Sequence, residues 1–280
     1  MKIIAKKEAL KKAVRDARND RKMVGLVPTM GALHQGHLSL IETAVGNGDF
    51  IVVSIFVNPT QFNDPRDLEQ YPRDMEADLA MLQEYPVDIV FAPSVEEMYP
   101  EKDTRIFDLS PLDSVLEGKY RPGHFNGVAQ IVSKLFYAAN PDKAYFGKKD
   151  FQQLTVIKKL ASILDMEIEI VGCPIIREKD GLAMSSRNRL LGQAERAAAP
   201  FIYETLQQAR QMKKNHMPGE IQRFVTSAMD HHPLITLEYF EIVDDQHLHP
   251  VLHWNGPADK VGCIAVLLGG VRLIDNIYFN

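Results

Sequence analysis

The feature that most constrains this chain is an alternation. Through its first half, short apolar runs take turns with segments of helical length. VGLVP, FIVVSIFV, VDIVFAP and IEIVGCPII are nearly unbroken apolar stretches. A strand that alternates apolar and polar residues can leave one face in water, whereas a continuous run needs cover on both faces. Between the runs, apolar residues recur every three or four positions: Ala9, Ala13 and Ala17; Leu38, Ile41 and Val45; Val128, Ile131, Val132 and Leu135; Leu154, Ile157, Ala161 and Leu164. That is the period of a helix with one buried side. One more helix is expected from about Pro72 to Glu84. Strands separated by helices of this length imply crossover connections, and so an α/β fold around a parallel sheet. In such sheets ligands sit beyond the carboxyl ends of the strands.

The pattern changes after about residue 177. A long helix-like stretch runs from Gln193 to His216 and a shorter one to about His231. Three strand-like runs then follow almost consecutively, ITLEYFEIVD, KVGCIAVLLG and VRLIDNIYF. Helices followed by adjacent strands predict a small α+β domain. The boundary is expected at residues 177–185, giving domains of residues 1–180 and 181–280.

Charge and cysteine usage narrow the function. Lys and Arg total 32 against 37 Asp and Glu, a net charge of -5, which disfavours a nucleic-acid partner. No run reaches the roughly 18 apolar residues of a membrane span. The N-terminal MKIIAKKEALKKAVRDARNDRK carries no apolar core of signal-peptide length. Cys173 and Cys263, the only cysteines, sit in apolar strand-like surroundings and read as reduced thiols, so a cytoplasmic location is expected.

Four stretches carry the chemistry. VPTMGALHQGH (27–37) lies where a strand gives way to a helix, with Gly31 and Gly36 allowing close backbone approach. Free amides at a helix start favour phosphate, and His34 and His37 can face one bound group. The stretch lacks the Gly-Lys-Ser/Thr of a P-loop and the spacing of a dinucleotide fingerprint. VNPTQF (57–62) places Asn58 and Gln61, neutral hydrogen-bonding side chains, after the most apolar strand; a plain Asn-Pro turn would also explain it. FGKKDFQQL (146–154) reads as a helix start with Asp150 as N-cap and Gln153 as its capping-box partner. Lys148 and Lys149 put positive charge where the helix dipole disfavours it, which points to a bound anion. MSSRNRLL (184–191) offers two hydroxyls and the planar donors of Arg187 to a polyphosphate, and is equally a helix-start signal. The loop GKYRPGHFNGVAQ (118–130) fits a lid or a subunit contact.

Taken in order, PTMGALHQGH, SIFVNPTQF, YPR, RPGHFNGV, FGKKDFQQL and GLAMSSRN resemble the pantoate–β-alanine ligase family, a branch of the His-x-Gly-His nucleotidyl transferases. The resemblance spans nearly the whole chain. It implies a Rossmann-like, doubly wound ATP-binding domain, a smaller C-terminal α+β domain that closes over it, and a homodimer. It implies a two-step reaction in which pantoate attacks the α-phosphate of ATP, accompanied by Mg2+, and β-alanine then displaces AMP. No tightly bound organic cofactor is implied. Transferred by matching position, Met30, Gly31, Ala32, Leu33, His34, Gln35, Gly36 and His37 line the nucleotide site, as do Gly147, Lys148, Lys149 and Asp150. Ile176 lies near adenine, and Met184, Ser185, Ser186 and Arg187 form a phosphate loop. Gln61 and Gln153, with Asn58 nearby, hold pantoate, and Asp78 matches a position near the magnesium. His37, His34, Lys149 and Arg187 are the expected catalytic group, because donors set in place for charge growing on phosphorus oxygens lower the barrier. The family's usual Glu stands as Lys148 here, and FNDPRDLEQ is more charged than the glycine-containing loop expected. Two other readings are a nucleotidyl transferase with a different acceptor and a nucleotide-binding regulatory module without turnover. Pyrophosphate release separates the second from an enzyme.

Overall fold

The computed structural model describes all residues 1–280. The first part carries β1 (Lys2–Ile4), α1 (Lys7–Asn19), β2 (Val24–Thr29), α2 (Gln35–Gly46), β3 (Phe50–Ile55), α3 (Pro65–Gln70), α4 (Met75–Leu82), β4 (Ile89–Phe91), α5 (Val95–Met98), α6 (Glu117–Tyr120), α7 (His124–Ala139), β5 (Lys143–Gly147), α8 (Phe151–Ile163) and β6 (Glu169–Cys173). The second carries α9 (Gln193–Ala198), α10 (Pro200–Met212), α11 (Pro218–Asp230), β7 (Ile235–Asp244), β8 (Lys260–Leu268) and β9 (Val271–Tyr278).

The first six strands form one sheet in the order β1-β4-β3-β2-β5-β6, and every pairing in it is parallel. From β2 the chain first builds outward through β3 and β4, then crosses back to place β5 on the other side of β2. The reversal opens a crevice at the carboxyl ends of β2 and β5, where such sheets bind ligands. Alternate residues of a strand point to opposite faces, so each apolar run fills two cores. Leu26, Val52, Ala144 and Phe146 pack with α1, α7 and α8, while Val27, Ile51, Val53 and Tyr145 pack with α2. That double duty is why the runs are unbroken.

Two helix expectations change in detail. On α1 the buried face is Leu10, Val14 and Ala17, with Ala9 exposed, because Leu10 and Val14 gain more from burial than alanine. The stretch expected as one helix from Gln193 to His216 is two, broken at Ala199–Pro200 and ending at Met212. Proline has no amide hydrogen to give to a preceding turn and starts a helix instead. Helices α10 and α11 bury Ile202, Leu206, Ala209, Ile221, Val225 and Met229 against the antiparallel sheet β7-β8-β9.

The two sheets meet along β9 and β7. Asn276 donates from Nδ2 to the carbonyls of Lys148 (2.8 Å) and Lys149 (3.0 Å), just past β5. Arg177 pairs with Asp275 at 2.6 Å, and the Tyr239 hydroxyl donates to Glu117 at 3.1 Å. Tyr239, Val243, Val261, Cys263 and Ala265 belong to the same apolar cluster as α7 and α8.

Candidate active site

The loop after β2 turns sharply. Gly31 (φ 79°) and Ala32 (φ 50°) both have positive φ. Asp78, from α4, sits beneath the turn and accepts from the amides of Ala32 (3.0 Å) and Leu33 (2.7 Å). A side chain on Gly31 would bring a Cβ within 2.8 Å of Asp78 Oδ2, so glycine is needed for space as well as for its backbone. Asp78 is 3% exposed, and burial pushes its carboxyl up while the two amide bonds pull it back. With one amide bond to each oxygen, Asp78 anchors this turn, and its side chain lines neither of the cavities described below.

The turn delivers His34 to the N-cap of α2, where its Nδ1 accepts from the amide of Gly36 at 3.1 Å. That bond fixes the tautomer: the proton is on Nε2. His37, one turn on, lies with its ring centroid 4.0 Å from that of His34. Burial, then the charges of Lys149 and Arg189, lower the pKa of His34 to about 4. Burial, then His34 and Lys149, lower that of His37 to about 3. Burial thus favours neutral rings near pH 7, each with one N–H. The Nδ1 of His37 is buried with no partner. A Cβ on Gly36 would stand 2.9 Å from the His34 ring, so this glycine lets the imidazole lie against the helix start.

Gln61 ends a short 3-10 turn, Pro59–Gln61, and is 8% exposed. Its amide is held at both ends, Oε1 accepting from Asn58 Nδ2 (3.0 Å) and Nε2 directed at Met30 Sδ (3.2 Å). Asn58 is fully engaged, donating also to the Gly127 carbonyl (3.1 Å) and accepting from the Tyr99 hydroxyl (2.7 Å). It orients Gln61 and has nothing left for a ligand. His124, at the start of α7, meets the Gln61 carbonyl at 2.8 Å, burial lowering its pKa to about 3.

Past β5, the expected capping box does not form. Asp150 leaves a 3-10 turn with ψ 61°, away from the extended backbone of a capping residue, and its carboxylate bonds no amide of α8. Asp150 and Gln153 thus stay off the helix start and line the crevice. Lys149 turns toward the histidines, with Asp150 3.8 Å from its Nζ. Lys148 goes elsewhere: its Nζ lies 5.5 Å from the centre of the Tyr278 ring, and its side chain lines neither cavity described below. Arg187 donates to both oxygens of Asp67, at 2.9 and 3.2 Å, joining the 3-10 turn Ser186–Leu190 to α3.

These groups surround a cavity of about 200 Å³ at the carboxyl ends of β2 and β5. It is lined by Met30, His34, Gly36, His37, Gln61, Gly147, Lys149, Asp150, Gln153, Ile176, and Met184 through Arg187. A second cavity of about 750 Å³ lies between the two sheets and shares Lys149, Asp150, Gln153, Ser185 and Arg187 with the first. Ala32 and Leu33 are buried below the loop, and Gln35 points out to Glu42. Sequence reasoning missed Tyr71, which receives a hydrogen bond from Ser186 at 3.3 Å, and Arg189, which donates to the Leu33 carbonyl at 3.3 Å. Both stood inside quoted motifs, YPR and MSSRNRLL, but nothing local marked them.

The family model for pantoate-beta-alanine ligase matches residues 2–278. Curated pantothenate synthetases resemble the chain throughout. That of Porphyromonas gingivalis is 57% identical over 272 residues, covering 97% of each chain. That of Bacteroides thetaiotaomicron is 53% identical over 280 residues, covering 100% of this chain and 99% of its own. Among solved structures, the pantothenate synthetase of Thermus thermophilus superposes with a TM-score of 0.92 at 42% identity, covering 100% of this chain and 99% of the other. The pantoate-beta-alanine ligase of Francisella tularensis, solved in complex with beta-gamma ATP and β-alanine, gives 0.82 at 35% identity, with 100% and 98% covered. A match that runs from Lys2 to Tyr278 places the chain in the pantoate–β-alanine ligase family.

Proposed function

We propose that the chain condenses pantoate with β-alanine at the expense of ATP, through a pantoyl adenylate. The observation that carries this reading is the pair of neutral imidazoles beside Lys149, at a helix start facing a cavity that also holds two glutamines. In the first step a pantoate carboxylate oxygen bonds to the α-phosphorus, and the bond from that phosphorus to pyrophosphate breaks. Negative charge grows on the phosphorus oxygens. His34 Nε2–H, the His37 ring, Lys149 and Arg187 supply donors for it, and they need no rearrangement at the moment of reaction. In the second step the β-alanine amine attacks the acyl carbon, the C–O bond to AMP breaks, and the nitrogen releases a proton to solvent.

Gln61 and Gln153 take the pantoate hydroxyls and carboxylate. Gln61 arrives already oriented by Asn58 and Met30, which limits the entropy lost on binding. Arg187 is shared with Asp67 and keeps further N–H groups for a phosphate. Asp78 bonds the loop amides and lines neither cavity. Magnesium fits best as an ion brought in on the triphosphate, as it commonly is, and no step depends on a protein-held metal. Two buried free thiols, Cys173 and Cys263, suit a reducing cytoplasm, and the family resemblance supports a homodimer.

The test is isotope exchange. With ATP and pantoate but no β-alanine, labelled pyrophosphate should enter ATP. Exchange that appears only once β-alanine is added would remove the adenylate from the scheme.

A further inference from the structure

Away from both cavities, the turn after β7 gathers three metal-ligating side chains that the ligase reaction does not use. We propose that Asp244, His247 and His249 form a surface site for a divalent transition-metal ion of the zinc, nickel or copper type. The backbone builds the cluster. Val243 bridges Pro250, and the Asp244 amide donates to the His249 carbonyl at 3.0 Å, which sets Asp244 opposite His249 across a tight return. The Asp244 carboxylate is fixed by the amides of Gln246 (3.0 Å), His247 (2.6 Å) and His249 (2.8 Å). These contacts hold it in place and leave Oδ2 a free lone pair.

Neither imidazole bonds that carboxylate: His247 Nδ1 lies 3.8 Å from Oδ1 and His249 Nδ1 lies 3.7 Å from Oδ2. Those gaps are too long for hydrogen bonds. Two ligands about 2.1 Å from a tetrahedral ion lie roughly 3.4 Å apart, so the His249 Nδ1–Oδ2 gap is near the spacing an ion requires. The three ligand atoms all fall within 4.8 Å of one another. The rings lie nearly parallel, 14° apart, and their side chains are 66% and 68% exposed, so small rotations can close the remaining distance. Two imidazoles and one carboxylate select zinc, nickel or copper over calcium or magnesium, with water completing the shell. A bound ion would brace the return between β7 and the segment leading to β8.

The experiment is a calorimetric titration of the full chain with NiCl2, with melting curves and turnover measured alongside. The unaltered protein should bind one equivalent at this site and melt higher in the presence of nickel. His247→Ala/His249→Ala should lose that event, keep its metal-free melting temperature and turn over at the normal rate. His249→Gln, the milder change, should weaken binding by roughly tenfold or more. Nickel binding that is unchanged in the double variant, or absent from the unaltered protein, would overturn the proposal.

Discussion

Replacing Asp78 by alanine separates two roles for the residue, loop anchor and metal ligand. Asp78 accepts from the amides of Ala32 and Leu33, which are 2% and 0% exposed, so alanine would leave two N–H groups that water cannot easily reach. A buried donor left unpaired costs about 1–3 kcal/mol, and two give roughly 2–6 kcal/mol. Some of this is recovered, because burial already works against the Asp78 carboxylate and that penalty disappears with the side chain. A net loss of about 2–4 kcal/mol is expected, or roughly 3–7 °C in melting temperature for a protein of this size. Because the same turn carries His34 to the start of α2, adenylate formation should fall together with stability. The assay is a melting curve beside a magnesium titration of pyrophosphate exchange. A variant with an unchanged melting temperature and a raised magnesium requirement would refute the anchor and restore the metal ligand.

His37→Ala should slow adenylate formation by roughly 100- to 1000-fold, as expected for one preorganised donor, while ATP affinity changes far less; single-turnover measurement decides it. The pH dependence of stability follows from His34, His37 and His124, whose folded pKa values lie at about 4, 3 and 3. Each is below the unfolded value of about 6.5, so the unfolded chain binds more protons between those limits. Their contribution is complete above pH 6.5 and should be lost as pH falls from there toward 3, which chemical denaturation at stepped pH would reveal; stability that stays flat over that window would contradict the buried neutral rings.

Much of this was legible because the relevant signals are local. FIVVSIFV fills two cores at once, and a run with no polar face has few alternatives to a central strand. The His34–His37 pairing followed from their spacing across a strand-to-helix junction. What escaped notice depends on partners far along the chain. Asp78 reaches back 45 and 46 residues to Leu33 and Ala32, and no periodicity connects them. Lys148 and Lys149 are adjacent and alike in charge, yet the backbone sends one to Tyr278 and the other to the histidines. The Asp150–Gln153 spacing allowed a capping box, but the 3-10 turn before α8 left Asp150 in the wrong backbone conformation for one.

The side chain of Asn276 holds the carbonyls of Lys148 and Lys149 from β9, the last strand of the second sheet in sequence. The peptide that aims Lys149 is therefore finished only when the C-terminal sheet is in place. Tyr239, Val243, Val261, Cys263 and Ala265 add to the same dependence, since they complete an apolar cluster that α7 and α8 begin. The parallel sheet has all its strands by Cys173, about a hundred residues before Asn276 supplies this contact. A fragment ending between the two sheets would keep both histidines and leave Lys149 untethered. The setting of Lys149 thus depends on β9 as much as on β5 beside it in sequence.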